Sequence, residues 1–449
     1  MGEKIGLYES VSIAVGGMVG GGIFAVLGVV AAGAGTAAWI AFTLSGVVAL
    51  CAGYSFVRLN DLCERDRSPL GQIEELTGDS RFAGMAGWLL TFGYVGTMAM
   101  YAYAFGSYLA ELVGLHAVAG VPVRPLFSVA AVAGFGGLNL LGARASGRTE
   151  DALVASKVAI LLAFSVGGIY FGATHGELAS GVGALDVGAL TTAAIAFVAF
   201  EGWELLLFDQ DSIENPRETV RKAIYVSVVG TTALYVLVAV VTTNLVSASV
   251  IKQHAETALA VAARPFFGPL GFTLIAVAAV ISTASALNAT LFSAARLADQ
   301  MSNAATSGDH RQGSRAVGTD GGSGLSAHST PTRHHRSTGE DESGGPPVKT
   351  ILVLGVLTGI FTVYGNLNSI TSFASGAFTT IFGSVSLLAF TRRGDGVLTA
   401  VVPAVGALGS GATLLALFWH LHETNPHVLV TVAVIWAVVL SVYWVPRRG

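Results

Sequence analysis

The chain has 449 residues, of which 12% are charged and 53% hydrophobic, with 57 glycines; globular proteins usually carry roughly 25% charged residues. Its formal net charge is −4 and its sequence pI about 6.2, so no basic balance points to nucleic acid. A mean hydropathy of +0.66 excludes a chain whose whole surface faces water. Two cysteines, Cys51 in an apolar run and Cys63 in the charged loop after it, imply no disulfide framework.

A helix needs about 20 apolar residues to cross a hydrocarbon core of roughly 30 Å. Twelve stretches meet that need, at approximately 8–32, 37–57, 85–113, 125–143, 150–172, 189–209, 219–246, 269–297, 349–365, 370–391, 397–420 and 426–446. The first follows a single lysine, Lys4, and is long and glycine-interrupted, so it reads as a retained span and not a cleaved signal peptide. The fold class expected is an all-α integral membrane protein seated in a lipid bilayer. With the N-terminus cytoplasmic, twenty of the 24 basic residues fall on the cytoplasmic side. Arg124, Lys252 and Arg264 fall outside, and Lys157 lies inside a span. That asymmetry supports cytoplasmic N- and C-termini.

One connection is long. Residues 301–347 are rich in Gly, Ser, Thr and His with almost no apolar periodicity, the composition of a disordered cytoplasmic loop. Its histidines, His310, His328, His334 and His335, match no metal-ligand spacing.

Two spans carry glycine where a membrane helix should not want it. GGMVGGGIF, Gly16 to Phe24, holds five glycines in seven residues, each costing roughly 1 kcal/mol against alanine in a helix. Close packing needs glycine on one face, whereas three in a row cover every face, so the pattern predicts unwinding. The sixth span is interrupted by FVAFEGWE, Phe197 to Glu204, in which Glu201 and Glu204 flank Gly202 and Trp203. A carboxylate in mid-span usually faces a cavity, pairs with a partner or takes up a proton. Glu204 could also sit near the helix end, bonded to neighbouring backbone.

Interruptions in the first and sixth spans, five helices apart, fit a five-plus-five inverted repeat whose broken helices meet at the midplane. The expected units are 1–172, 189–391 with the insert at 301–347, and a tail of two helices over 397–449. Freed N–H groups attract a carboxylate and freed carbonyls an ammonium, so the site suits a zwitterion such as an amino acid.

These residues resemble the amino acid–polyamine–organocation superfamily of permeases. GGMVGGGIF is similar to its first-helix signature. FVAFEGWE followed by IENPRETVRKAI (Ile213 to Ile224) resembles its sixth helix and the loop into the seventh. NLLGARASGRTEDALVASK (Asn139 to Lys157) resembles its fourth-to-fifth connection, and TALAVAARPFFGPLGF (from Thr257) with STASALNATLFSAARLADQM the stretch through the eighth helix. Departures lie at YSFVRLND (from Tyr54) and RSPLG (from Arg67), which replace the usual second-helix ending, and at Glu201, often apolar in relatives.

The resemblance implies roles. Gly20, Gly21 and Gly22 would offer N–H groups to a substrate carboxylate, and carbonyls of Met18, Val198 and Ala199 would accept an α-ammonium. Phe200 or Trp203 would act as an aromatic gate or pocket wall. Tyr94, Thr97 and Met98 on the third helix and Asn288 on the eighth would be pocket residues. Lys157 matches a fifth-helix lysine of proton-coupled members; it would touch carbonyls near Gly16 and Val19 and a hydroxyl from Ser282, Thr283 or Ser285. Its alternative is to snorkel to the interface. Glu201 and Glu204 are further candidates for proton coupling.

The function expected is secondary active transport of an amino acid across the cell membrane by alternating access, coupled to protons, with no enzymatic step, cofactor or metal. An exchanger of amino acids or polyamines, and a transport-silent amino acid sensor signalling through the long loop, are the alternatives.

Overall fold

A computed structural model describes residues 4–63, 68–141, 147–208, 210–306 and 348–444. The expected loop and its four histidines fall almost wholly outside the described residues, as do Arg65, Arg67, Arg144, Arg447 and Arg448.

Helices follow one another through the chain. α1 spans Leu7–Ala34, α2 Ala38–Leu62, α3 Pro69–Thr77 and α4 Ser80–Val113. α5 covers Val123–Leu140, α6 Gly147–His175 and α7 Val187–Ala196. α8 is Pro216–Leu245, α9 Ala248–Gln253, α10 Ala258–Thr306 and α11 Val348–Tyr364, with α12, Leu367–Thr391, α13, Val397–Thr424, and α14, Pro426–Trp444, closing the chain. A two-stranded hairpin, Ala117–Val118 with Val121–Pro122, joins α4 to α5. By length and composition, seven helical stretches among the described residues are apolar enough to cross a membrane, counting Leu7–Leu62 as one. Large apolar side chains such as Val166, Tyr170, Val356, Leu408 and Leu415 face outward, as a lipid-facing surface requires.

The first span is not unwound. α1 runs without interruption through Gly16–Gly22, and the expectation of a broken first helix is corrected. The reason is its position: α1 lies at the centre of the bundle and touches α2, α4, α6, α7, α8, α9, α10 and α12. With neighbours on every side, glycine on every face is a packing device. A Cβ on Gly16 would stand 2.9 Å from Val154 of α6, one on Gly20 2.8 Å from Ala286 of α10, and one on Gly22 2.8 Å from the Ala199 carbonyl. Gly21 lies directly beneath the Tyr101 ring of α4.

Three further features add to the sequence reading. α3 is a short helix that hydropathy does not reveal; Ser68 caps it, its hydroxyl accepting from the Gly71 N–H at 3.3 Å, with Pro69 at the first position. α10 bends sharply at Gly268 (φ 63°), between Pro265 and Pro269, so the eighth span begins after this corner. Its far end continues to Thr306, past Met301 where the loop is expected to start, because the Met301 side chain packs over Gly87 of α4.

The tight seat of α1 can be tested at Gly28, which lies against the Ala255 carbonyl with no room for a methyl group. Gly28→Ala should lower the thermal midpoint of the detergent-solubilised protein, by a destabilisation of about 1–3 kcal/mol. Gly230→Ala, at a glycine with nothing within 4 Å, should leave it unchanged or slightly raised. Equal midpoints for the two variants would contradict this packing.

Candidate functional site

The sixth segment breaks where its sequence offers glycine. After α7 the chain makes a 3₁₀ turn over Phe197–Phe200, extends at Glu201 (φ −73°, ψ 145°), turns at Gly202 (φ 126°) and re-enters 3₁₀ structure over Trp203–Leu207. Only glycine adopts that φ without strain. A Cβ on Gly202 would also stand 2.7 Å from the Gly17 backbone of α1. The two chains thus meet backbone to backbone through a glycine on each side. The segment's far end is held by a buried amide cluster: Asn60 Nδ2 donates to Gln210 Oε1 at 2.8 Å, and Gln72 Nε2 to Asn60 Oδ1 at 3.1 Å. Ahead of α1, the Ile5 N–H donates to the Ser212 carbonyl at 2.9 Å, tying the N-terminal stretch to the same segment.

Around this contact, α1 presents its carbonyls as sockets. A helical carbonyl keeps a second lone pair after its i+4 bond. Lys157 Nζ of α6 donates to the Gly16 carbonyl at 3.2 Å. The Tyr235 hydroxyl of α8 lies 2.6 Å from the Met18 carbonyl and 3.0 Å from that of Ala199. The Ser282 hydroxyl of α10 donates to the Val19 carbonyl at 3.0 Å. Lys157 is only 5% exposed and points inward to α1, not outward to the membrane surface.

A cavity of about 240 Å³ lies beside the break, lined by Gly16, Gly17, Tyr101, Glu150, Glu201 and Gly202, and by Ser285 and its neighbours on α10. The glycines Gly20, Gly21 and Gly22 lie inside the intact helix, where their N–H groups follow the i−4 hydrogen-bond pattern; they are not free donors. The assigned carbonyls already have partners within the protein: the single Tyr235 hydroxyl proton is shared between those of Met18 and Ala199, and the Glu201 N–H donates to that of Val198 at 3.2 Å.

The aromatic residues of the break do not line the cavity. Phe200 packs on Tyr235, ring centroids 5.3 Å apart, and Trp203 lies between Phe56, edge to face at 5.4 Å, and Phe382, tilted at 5.0 Å. Tyr94, Thr97 and Met98 are buried behind the break, with Tyr94 edge-on to Phe378. Asn288 turns to α5, where its Oδ1 accepts from Nδ2 of the buried Asn139 at 2.8 Å, and the half-buried residue leaves the pocket. Thr283 bonds back to the Ala279 carbonyl of its own helix at 2.7 Å, whereas Ser285 reaches the cavity.

The two carboxylates of the break are placed differently. Glu204 Oε2 accepts from the Gly202 N–H at 2.7 Å, so this carboxylate caps the turn. Glu201 lines the cavity, and its Oε2 is buried with no hydrogen-bond partner. Sequence reasoning missed Tyr235 and Tyr101. Each shares a long apolar span with other aromatics, and only the folded arrangement aims it at α1.

The sequence matches the family described as "Amino acid permease" over residues 5–440. An uncharacterized protein of Methanocaldococcus jannaschii is 33% identical over 300 residues, 66% of this chain and 68% of that one. The inner membrane transport protein YbaT of Escherichia coli is 26% identical over 438 residues, 95% and 93% of the two chains. The serine/threonine exchanger SteT of Bacillus subtilis is 25% identical over 306 residues, 67% and 68% of the two. Among solved structures, the manganese transporter of Eremococcus coleocola in complex with an aromatic bis-isothiourea substituted compound shares the fold. Its TM-score is 0.57 at 13% identity, over 97% of this chain and 92% of that one. The chain belongs to the amino acid permease family and is a multi-pass membrane transporter, not an enzyme.

Proposed function

We propose that the protein carries an amino acid across the cell membrane by alternating access, in symport with protons that load through Lys157. Both termini lie in the cytoplasm on this reading, and the twelve segments that match the expected spans, the broken sixth among them, each cross the bilayer. The first ten form a five-plus-five inverted repeat about α1 and the broken sixth segment. The observation that carries the reading is the Lys157 ammonium, buried in the bundle and bonded to the Gly16 carbonyl at the edge of the cavity.

The physical logic is local. An ammonium has three donors, and Gly16 takes one of them. A lysine so placed can bind and release a proton as α1 and α6 separate and rejoin, and relative motion of this kind is what alternating access requires. Ser282 and Tyr235 fasten the same turn of α1 to α10 and α8, so movement of α1 is felt by all three helices. Exchange of one amino acid for another is the second reading, favoured by the similarity to a protein named as a serine/threonine exchanger.

Uptake of labelled amino acids into proteoliposomes tests the coupling. A gradient of one pH unit is worth about 1.4 kcal/mol per proton, enough for roughly tenfold accumulation of a symported substrate. Wild type should show that stimulation, and Lys157→Ala should bring it close to none. Uptake that ignores the gradient but requires internal amino acid would establish exchange instead. A second expectation concerns Tyr235→Phe, which leaves the Met18 and Ala199 carbonyls without their hydroxyl donor. It should destabilise the protein by about 1–3 kcal/mol and slow uptake. A melting midpoint and uptake rate equal to wild type would show that the hydroxyl fastens nothing.

A further inference from the structure

The wall of the cavity has a one-sided chemistry. It carries two carboxylates, Glu150 and Glu201, and hydroxyls from Tyr101, Ser285, Thr290 and Ser293, with no basic side chain among the described residues. Glu150 lies within electrostatic reach of Lys157, which offsets it. Among the described residues, Glu201 meets no such cation. It is 4% exposed, its Oε2 has no hydrogen-bond partner, and the nearby Thr97 hydroxyl already donates to the Gly93 carbonyl at 3.1 Å. Its neighbour Glu204 is tied to the Gly202 N–H. The intact helix also withdraws the N–H groups of Gly20–Gly22, so no backbone nest stands ready for an anion. The cavity therefore offers no cationic side chain to an anion among the described residues, and an ionised Glu201 with one buried oxygen unpaired is costly until a cation or a proton reaches it.

We propose that the cavity selects substrates with an alkylammonium group beyond any α-amino group, and that the Glu201 carboxylate receives that group. Dibasic amino acids and diamines share this chemistry. At about 240 Å³ the cavity is below the ~300–1,000 Å³ of drug-sized sites and suits a molecule of this size. The inference rests on the transport reading and takes this cavity as its substrate site.

Binding to the purified protein in detergent separates the two. Labelled L-lysine, putrescine and L-leucine are each titrated against wild type, Glu201→Gln and Glu201→Asp, with melting curves to confirm folding. At least one of the two amines should bind wild type, and leucine should bind at least about tenfold more weakly. Glu201→Gln should weaken amine binding at least about tenfold, the scale of a lost charge-assisted hydrogen bond, with Glu201→Asp in between. Lysine alone binding identifies a dibasic amino acid, and putrescine alone a diamine. Leucine bound as tightly as either amine by wild type, neither amine bound by folded wild type, or amine binding unchanged in Glu201→Gln would overturn the proposal. Parallel uptake assays keep the readings distinct. Amine binding without uptake defeats transport and spares the selectivity, while leucine uptake without amine binding does the reverse.

Discussion

At Gly17 and Gly202 two backbones come so close that neither residue can carry a side chain; a Cβ on either would stand 2.8 or 2.7 Å from the other's main chain. Gly202 is doubly committed, since its φ of 126° is closed to other residues. This contact sets the sixth segment's break against the middle of α1. From it follow the depth of the cavity, the exposure of Glu201 to that cavity and the turn that Glu204 caps. Because α1 has no lipid-facing side, the same demand for closeness recurs at Gly16, Gly20, Gly21 and Gly22, each against a different neighbour.

Stripping side chains from α1 also uncovers its carbonyls. Lysine, tyrosine and serine from α6, α8 and α10 converge on the carbonyls of Gly16, Met18 and Val19. These bonds add to the helix without replacing its own, so they can break and re-form while α1 stays helical. A rod held by three detachable polar contacts is well suited to rocking against its neighbours. The polar groups concentrated there would otherwise be an unfavourable feature in the core of a membrane protein.

Much of this was legible beforehand. Hydropathy locates the helices because the bilayer imposes both length and apolarity. The break at Gly202 is readable because a glycine between two glutamates in an apolar run is poorly suited to an uninterrupted lipid-crossing helix. The glycines of α1 were misleading for a definite reason. Whether three in succession unwind a helix or pack it depends on how many helices surround it, and local sequence does not carry that number. Asn288 looks like a pocket amide until Asn139, 149 residues away, turns out to be its partner. Tyr235 could not be distinguished from an ordinary packing aromatic, and α3 is announced only by Ser68 and Pro69.

The central claim is that substrate occupies the cavity between the break, α1 and α10. It is tested most directly by placing a cysteine at Ala289, which lines that cavity, in a protein with Cys51 and Cys63 replaced. The rate of reaction with a small polar thiol reagent is then followed with and without a substrate whose uptake has been measured in the same preparation. Protection that saturates over the concentration range of uptake is the expected result. A labelling rate unchanged by saturating substrate would place the substrate elsewhere and contradict the site.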